Sequence, residues 1–78
     1  MASTTHHGPN HVSALLRIAD VRRLTGLSDS AIYRGVQRGT FPRPLKLSER
    51  SSAWVEAEVH EWISARIAER DNTSSKVA

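Results

Sequence analysis

Thr25-Gly26-Leu27-Ser28-Asp29-Ser30-Ala31-Ile32-Tyr33-Arg34-Gly35-Val36-Gln37-Arg38 is the stretch on which the fold of this chain turns. Gly26 can close a preceding helix, because glycine enters the left-handed backbone region without the clash a Cβ would bring. Leu27 is apolar and can fold back onto a core. Ser28 is a good N-cap, since its hydroxyl oxygen can accept from a free amide in the first turn of the next helix. From Asp29 to Arg38 the pattern is helical, with Ile32 and Val36 four apart on one face. Ser30, Tyr33, Arg34, Gln37 and Arg38 fall on the other faces, and Gly39 ends the segment. A helix, a glycine turn and a capped second helix with Arg, Gln, Tyr and Ser outside form the pattern of a helix-turn-helix that reads DNA.

Upstream, Ala19 to Thr25 predicts the first short helix. Asp20 sits in its first turn, where the helix dipole favours an acid. Val21 and Leu24 share a face, with Ile18 just before them, while Arg22 and Arg23 point away and can reach phosphates. Ala14 to Ile18 is expected to be extended and to cover an edge of the core. Residues 1–13 are polar and without period, which predicts a disordered tail. His6, His7 and His11 lie there, but a flexible tail supplies no fixed ligand geometry, so no metal site is expected.

Downstream, Phe41-Pro42-Arg43-Pro44 must be extended, because its prolines exclude a helix. Leu45-Lys46-Leu47 alternates as a strand does, Ser48-Glu49-Arg50-Ser51 is turn-like, and Ser52-Ala53-Trp54 can return as the partner. Such a hairpin is too small to stand alone and is expected to lean on the helices through Phe41, Leu47 and Trp54. A basic hairpin beside a helix-turn-helix is a wing, with Lys46 and Arg50 as candidate backbone or minor-groove contacts. Val55 to about Arg70 predicts the last helix, with Val59, Trp62, Ile63 and Ile67 as its apolar stripe and Trp62 in the core. Its outer face is mostly acidic and is expected to face away from DNA. Its three turns of apolar stripe are too few for a coiled-coil dimer. Residues 71–78 read as a second polar tail.

The 78 residues fit one small domain, here 14–70, with only a modest core. The absence of cysteine removes disulfides and thiolate metal sites. No apolar run is long enough to span a bilayer, and no signal-like segment is present, so a cytoplasmic location is expected. Charge is unevenly placed. Arg17 to Arg50 holds eight basic and three acidic residues, a balance of +5, whereas Ser51 onward holds three basic and five acidic ones, a balance of −2. A phosphate-binding surface requires that kind of concentration. No paired nucleophile and base, glycine-rich phosphate loop or metal cluster is present, so neither catalysis nor a cofactor is expected. Tyr33 alone cannot serve as a recombinase nucleophile, which needs an arginine–histidine constellation from a larger domain.

Several stretches together resemble the AlpA family of small DNA-binding regulators of prophages and mobile elements. They are Ile18-Ala19-Asp20-Val21, Thr25 to Arg34, Gly39-Thr40-Phe41-Pro42-Arg43-Pro44-Leu45-Lys46-Leu47, Trp54, and Val59-His60-Glu61-Trp62-Ile63. The resemblance covers Leu15 to about Arg70. It implies a mainly α fold with a small β-hairpin, a winged helix-turn-helix akin to those of phage excisionases and MerR-type regulators. It also implies that the second helix enters the major groove of double-stranded DNA and the wing touches the minor groove or backbone. Carried onto this chain, the recognition surface is Ser28, Ser30, Tyr33, Arg34, Gln37 and Arg38, and the wing contributes Lys46, Ser48 and Arg50. The chain departs from the pattern at Ala31, where many members carry Thr, and in the wing turn, where many carry Gly. Glu49 in that turn would repel phosphate, so either the wing's tip is aimed differently or Glu49 pairs with Arg50.

On this reading the guanidinium of Arg34 can bond O6 and N7 of a guanine, and Gln37 can read adenine. Arg38, Arg22 and Arg23 would grip phosphate and set orientation. Ser28 has two open duties, capping its helix or meeting a phosphate. Tyr33 is either a phosphate donor or partly core. One domain covers little DNA, so further copies on neighbouring sites, or an integrase sharing a bend, are expected partners. Two roles fit the family fold: an excisionase that steers an integrase, or a promoter regulator. The competing class is a small protein-binding adaptor or antirepressor, which would need no basic recognition face.

Overall fold

The computed structural model describes residues 14–77, with side chains described to residue 72. Residues 1–13, read above as a tail carrying three histidines, lie outside the described residues. The order of elements is β1 (Leu15–Leu16), α1 (Ile18–Thr25), α2 (Asp29–Arg38), β2 (Leu45–Ser48), β3 (Ser51–Val55) and α3 (Glu56–Val77). This is a helix-turn-helix followed by a β-hairpin and a final helix, the winged arrangement that the sequence predicts.

The sheet has one strand more than the expected hairpin. The lead-in segment pairs antiparallel with β3, Leu15 opposite Val55 and Leu16 opposite Trp54, giving the order β1-β3-β2. The Glu56 amide extends the pairing by donating to the Ala14 carbonyl at 2.9 Å. β3 is thereby the central strand. Its Ala53 and Trp54 are fully buried, and both α1 and α3 pack on it. The core joins Leu16, Val21, Ile32, Phe41, Trp54 and Val59, with Ile18, Leu27, Val36, Trp62 and Ile63 packed around them.

Four apolar residues expected inside are exposed. Leu47 is 49% exposed and Leu45 46%, because β2 is an edge strand whose only extensive neighbour is β3. Its pairing is also irregular between Lys46 and Ser48. Hence Phe41 and Trp54 carry the hairpin's attachment to the helices, and Leu47 does not. Leu24 is 44% exposed, so α1 is held through Val21 rather than through both residues. Ile67 is 45% exposed: the apolar stripe of α3 outruns the body it packs on after Ile63. Trp62 is half-buried rather than internal.

α3 starts one residue later than expected, since Val55 belongs to β3, and it runs to Val77 through the stretch read as a tail. Once a helix is nucleated, each added residue gains a hydrogen bond, so polar residues of modest propensity do not end it without a cap or proline. Arg66 with Glu69 at 2.7 Å lies just before the extension, and Arg70 with Asp71 at 2.9 Å lies at its start.

Candidate nucleic-acid interface

The turn between α1 and α2 is built from local hydrogen bonds. Gly26 has φ 76°, in the left-handed region, and its amide donates to the Arg22 carbonyl at 2.7 Å. The Thr25 hydroxyl donates to the Val21 carbonyl at 2.8 Å and accepts from the Leu27 amide at 3.1 Å. Ser28 Oγ accepts from the Ala31 amide at 3.1 Å, the N-cap bond expected of it. Its hydroxyl is therefore engaged in capping, at an exposed position at the start of α2. Gly39, at φ 79°, ends the helix.

With Ile32 and Val36 held by the core, Ser30, Arg34 and Gln37 stand at i, i+4, i+7 on the opposite, exposed stripe. Arg38 and Tyr33 flank that stripe. Arg34 and Arg38 also rim a recess of about 180 Å³ whose lining includes Leu27, Gly35, Phe41 and Trp62. Among the described residues no ion pair or side-chain hydrogen bond engages Arg34, Gln37 or Arg38. Tyr33 takes an intermediate place: it is 46% exposed, and its ring lies 6.0 Å from that of Trp54, tilted by 54°. Tyr33 is thus partly core, with one edge on Trp54 and the rest in solvent.

The arginines of α1 are exposed but partnered. Arg22 Nε meets Asp29 Oδ1 at 3.3 Å across the turn, and Arg23 pairs with Asp20 on its own helix. The Asp20 carboxyl is held below its usual range, first by the Arg17 amide donating to it at 3.2 Å and then by the Arg23 guanidinium. In the wing, Lys46 Nζ donates to the Glu49 carbonyl at 3.0 Å, which draws the amine across the turn at the hairpin tip. Ser48 lies opposite Ser51, and Arg50 is exposed at the tip with no partner among the described residues. Glu49 forms no ion pair with Arg50, although the two are adjacent.

The family model described as prophage CP4-57 regulatory protein (AlpA) matches residues 14–67. The chain belongs to the AlpA family. It is 42% identical over 55 residues to "Uncharacterized protein ORF88" of Enterobacteria phage P4, covering 70% of this chain and 62% of that protein. It is 34% identical over 58 residues to "DNA-binding transcriptional activator AlpA" of Escherichia coli K12, covering 67% of this chain and 83% of that protein. The chain thus spans less than two thirds of the phage P4 relative. The matched region of this AlpA-family chain holds every element that positions the α2 stripe, and it ends within α3.

Gly35 is a further residue of the site, one the sequence reading passed over. It lies in the middle of α2 with helical geometry, and a Cβ there would fall 2.9 Å from the Cβ of Phe41 and 3.4 Å from Thr40 Oγ1. The absent side chain lets residues 40–41 close onto the helix. A glycine inside an otherwise good helix costs roughly 1 kcal/mol relative to alanine, and that penalty was the available signal.

Proposed function

We propose that this chain is a sequence-specific double-stranded-DNA-binding regulator of a prophage or mobile element, working in the cytoplasm without catalysis or cofactor. α2 enters the major groove, and the wing lies against the minor groove or backbone. The observation that carries this reading is the stripe Ser30, Arg34, Gln37 with Arg38 beside it, exposed and without partners among the described residues. Base edges and phosphates are the ligands that such a row of donors is suited to meet. Arg34 reads guanine, Gln37 reads adenine, Arg38 grips phosphate, and Arg22, Arg23, Lys46, Ser48 and Arg50 add backbone contacts. Ser28 acts chiefly as the cap that sets where α2 begins.

The name of the Escherichia coli relative favours action at a promoter. Action as an excisionase, binding as several copies beside an integrase, uses the same face. A gel shift on DNA from around the chain's own gene and any nearby attachment site, with nonspecific competitor, tests the reading. Discrete shifted bands that survive competitor are expected. Smears that vanish with competitor would replace it with the adaptor reading, for which the groove between residues 39–45 and α3, edged by the exposed Glu58 and Glu61, is the place to look. With shifts in hand, a promoter–reporter assay and an excision assay with the integrase separate the two roles.

A further inference from the structure

We propose that Trp62 and Trp54 are positioning residues that lock the backbone of residues 40–42 and thereby fix the geometry between α2 and the wing. That short stretch connects α2 to the hairpin, and its backbone groups bond to three different elements. The Thr40 and Phe41 amides donate to the Gly35 carbonyl on α2 at 2.9 and 3.2 Å. The Thr40 carbonyl accepts from the Trp62 indole on α3 at 2.7 Å. The Pro42 carbonyl accepts from the Trp54 indole on β3 at 2.9 Å.

Each indole N–H is the only donor of a large, rigid ring, and each ring is itself fixed. Trp54 is fully buried. Trp62 is met edge-on by the Phe41 ring at 4.9 Å and covered by the Arg66 guanidinium at 5.2 Å. Loops are the mobile parts of small domains, and their position is set by the hydrogen bonds that anchor them. Here the anchors come from β3, a strand of the wing itself, and from α3, the helix that follows it. Without them, the backbone of this Pro-containing segment would be held only by its bonds to α2, with the buried Phe41 side chain as its remaining anchor in the core. DNA recognition by helix and wing together, the reading proposed above, needs both at one spacing, because a misplaced contact loses most of its energy.

The chain has no cysteine, so labels introduced at two positions report one distance. Spin labels on Gln37→Cys and Arg50→Cys in the free protein measure the separation of α2 and the wing tip. Two variants are compared with the parent: Trp62→Phe, and position 62 carrying 3-benzothienyl-alanine, which keeps the bicyclic ring but lacks the N–H. The expected result is a broadened or displaced distance distribution in both variants while thermal melting stays cooperative. In unlabelled protein, selectivity for the target DNA over random DNA should fall about fivefold or more, the size of one lost hydrogen bond. An unchanged distance distribution in the benzothienyl protein would overturn the proposal. So would a changed distribution with unchanged selectivity, since the indole would then serve the fold alone. If the parent itself shows no selectivity for any DNA, the DNA-binding reading fails, and the distances still decide whether the indole holds the joint.

Discussion

Arg22 and Arg23 on α1 and Arg34 and Arg38 on α2 are all exposed, yet the two pairs are electrostatically different. Each α1 arginine has a carboxylate from its own chain, Asp29 or Asp20, while the α2 arginines have none among the described residues. The positive balance of the first two-thirds of the chain is therefore not spread evenly. Two of its three acids, Asp20 and Asp29, are engaged in ion pairs with the α1 arginines. Composition reports the total, and the ion pairs report where it is felt. The pairs on α1 are exposed, with the side chains of Arg22 and Asp29 at 53% and 56% accessibility, so they are weak and exchangeable. An α1 arginine that met a phosphate would first leave its carboxylate, at a small cost.

The sharpest test of that contrast is Arg34→Ala with Arg38→Ala. A guanine-reading arginine carries roughly 1–3 kcal/mol of discrimination, so target affinity should fall about tenfold to a hundredfold for Arg34 alone and further for the pair. Stability should move by no more than about 0.5 kcal/mol, because neither side chain has a partner to lose among the described residues. Binding assays and melting on the same preparations check both halves. Undiminished affinity would remove α2 as the reading element.

Ser28 stands at the boundary between the two regions, and two substitutions separate its duties. Ser28→Ala should cost about 1 kcal/mol of stability through the lost cap. Ser28→Asp keeps a cap and adds a negative charge that suits the helix N-terminus, so stability should be retained. If a phosphate also lies there, Ser28→Asp weakens DNA binding while Ser28→Ala does so only through stability. Denaturant midpoints beside binding isotherms would show which duty dominates.

Arg22→Ala and Arg23→Ala should have a smaller effect, uniform across DNA sequences. Each lost phosphate contact lowers the slope of log affinity against log salt by about 1. Since each arginine must first leave its carboxylate, the affinity change at moderate salt should be smaller than for Arg38→Ala. A sequence-dependent loss would place α1 at base edges and overturn its assignment to the backbone.

The parts of this molecule legible in the sequence were those governed by near neighbours. The glycine ends of α1 and α2, the Ser28 cap and the exposure of Ser30, Arg34 and Gln37 all follow from spacings of three or four residues. What sequence pattern could not show depended on distant partners. Leu15 and Leu16 are too short a run to display alternation, and only their pairing with β3 makes them a strand. Leu47 alternates correctly but lies on an edge strand, and periodicity cannot tell an edge from a centre. The Trp54 and Trp62 indoles reach back 12 and 22 residues. Arg22 meets Asp29 across a turn whose geometry must exist first. Gly35 did carry a signal, its cost inside a helix, and that signal pointed to the close approach of Phe41.

The smallest expected effect comes from Asp20→Asn, and it touches both sides of the comparison. In the folded chain the Arg17 amide and the Arg23 guanidinium favour the charged carboxylate and hold its pKa below the usual value. A carboxyl whose folded pKa is depressed adds stability above its unfolded pKa and loses it as pH falls through the folded value. The parent should therefore lose more stability than Asp20→Asn on acidification from the ordinary carboxylate range downward. The gap between the two should close once Asp20 is protonated. Melting of both proteins across that range checks this, and a gap that stays constant with pH would assign the difference to packing. At neutral pH the same substitution removes the partner of Arg23. If local pairing is what keeps α1 weak, Asp20→Asn should raise affinity for any DNA slightly at low salt and leave selectivity unchanged, moving α1 toward the electrostatic state of α2 without giving it a base to read.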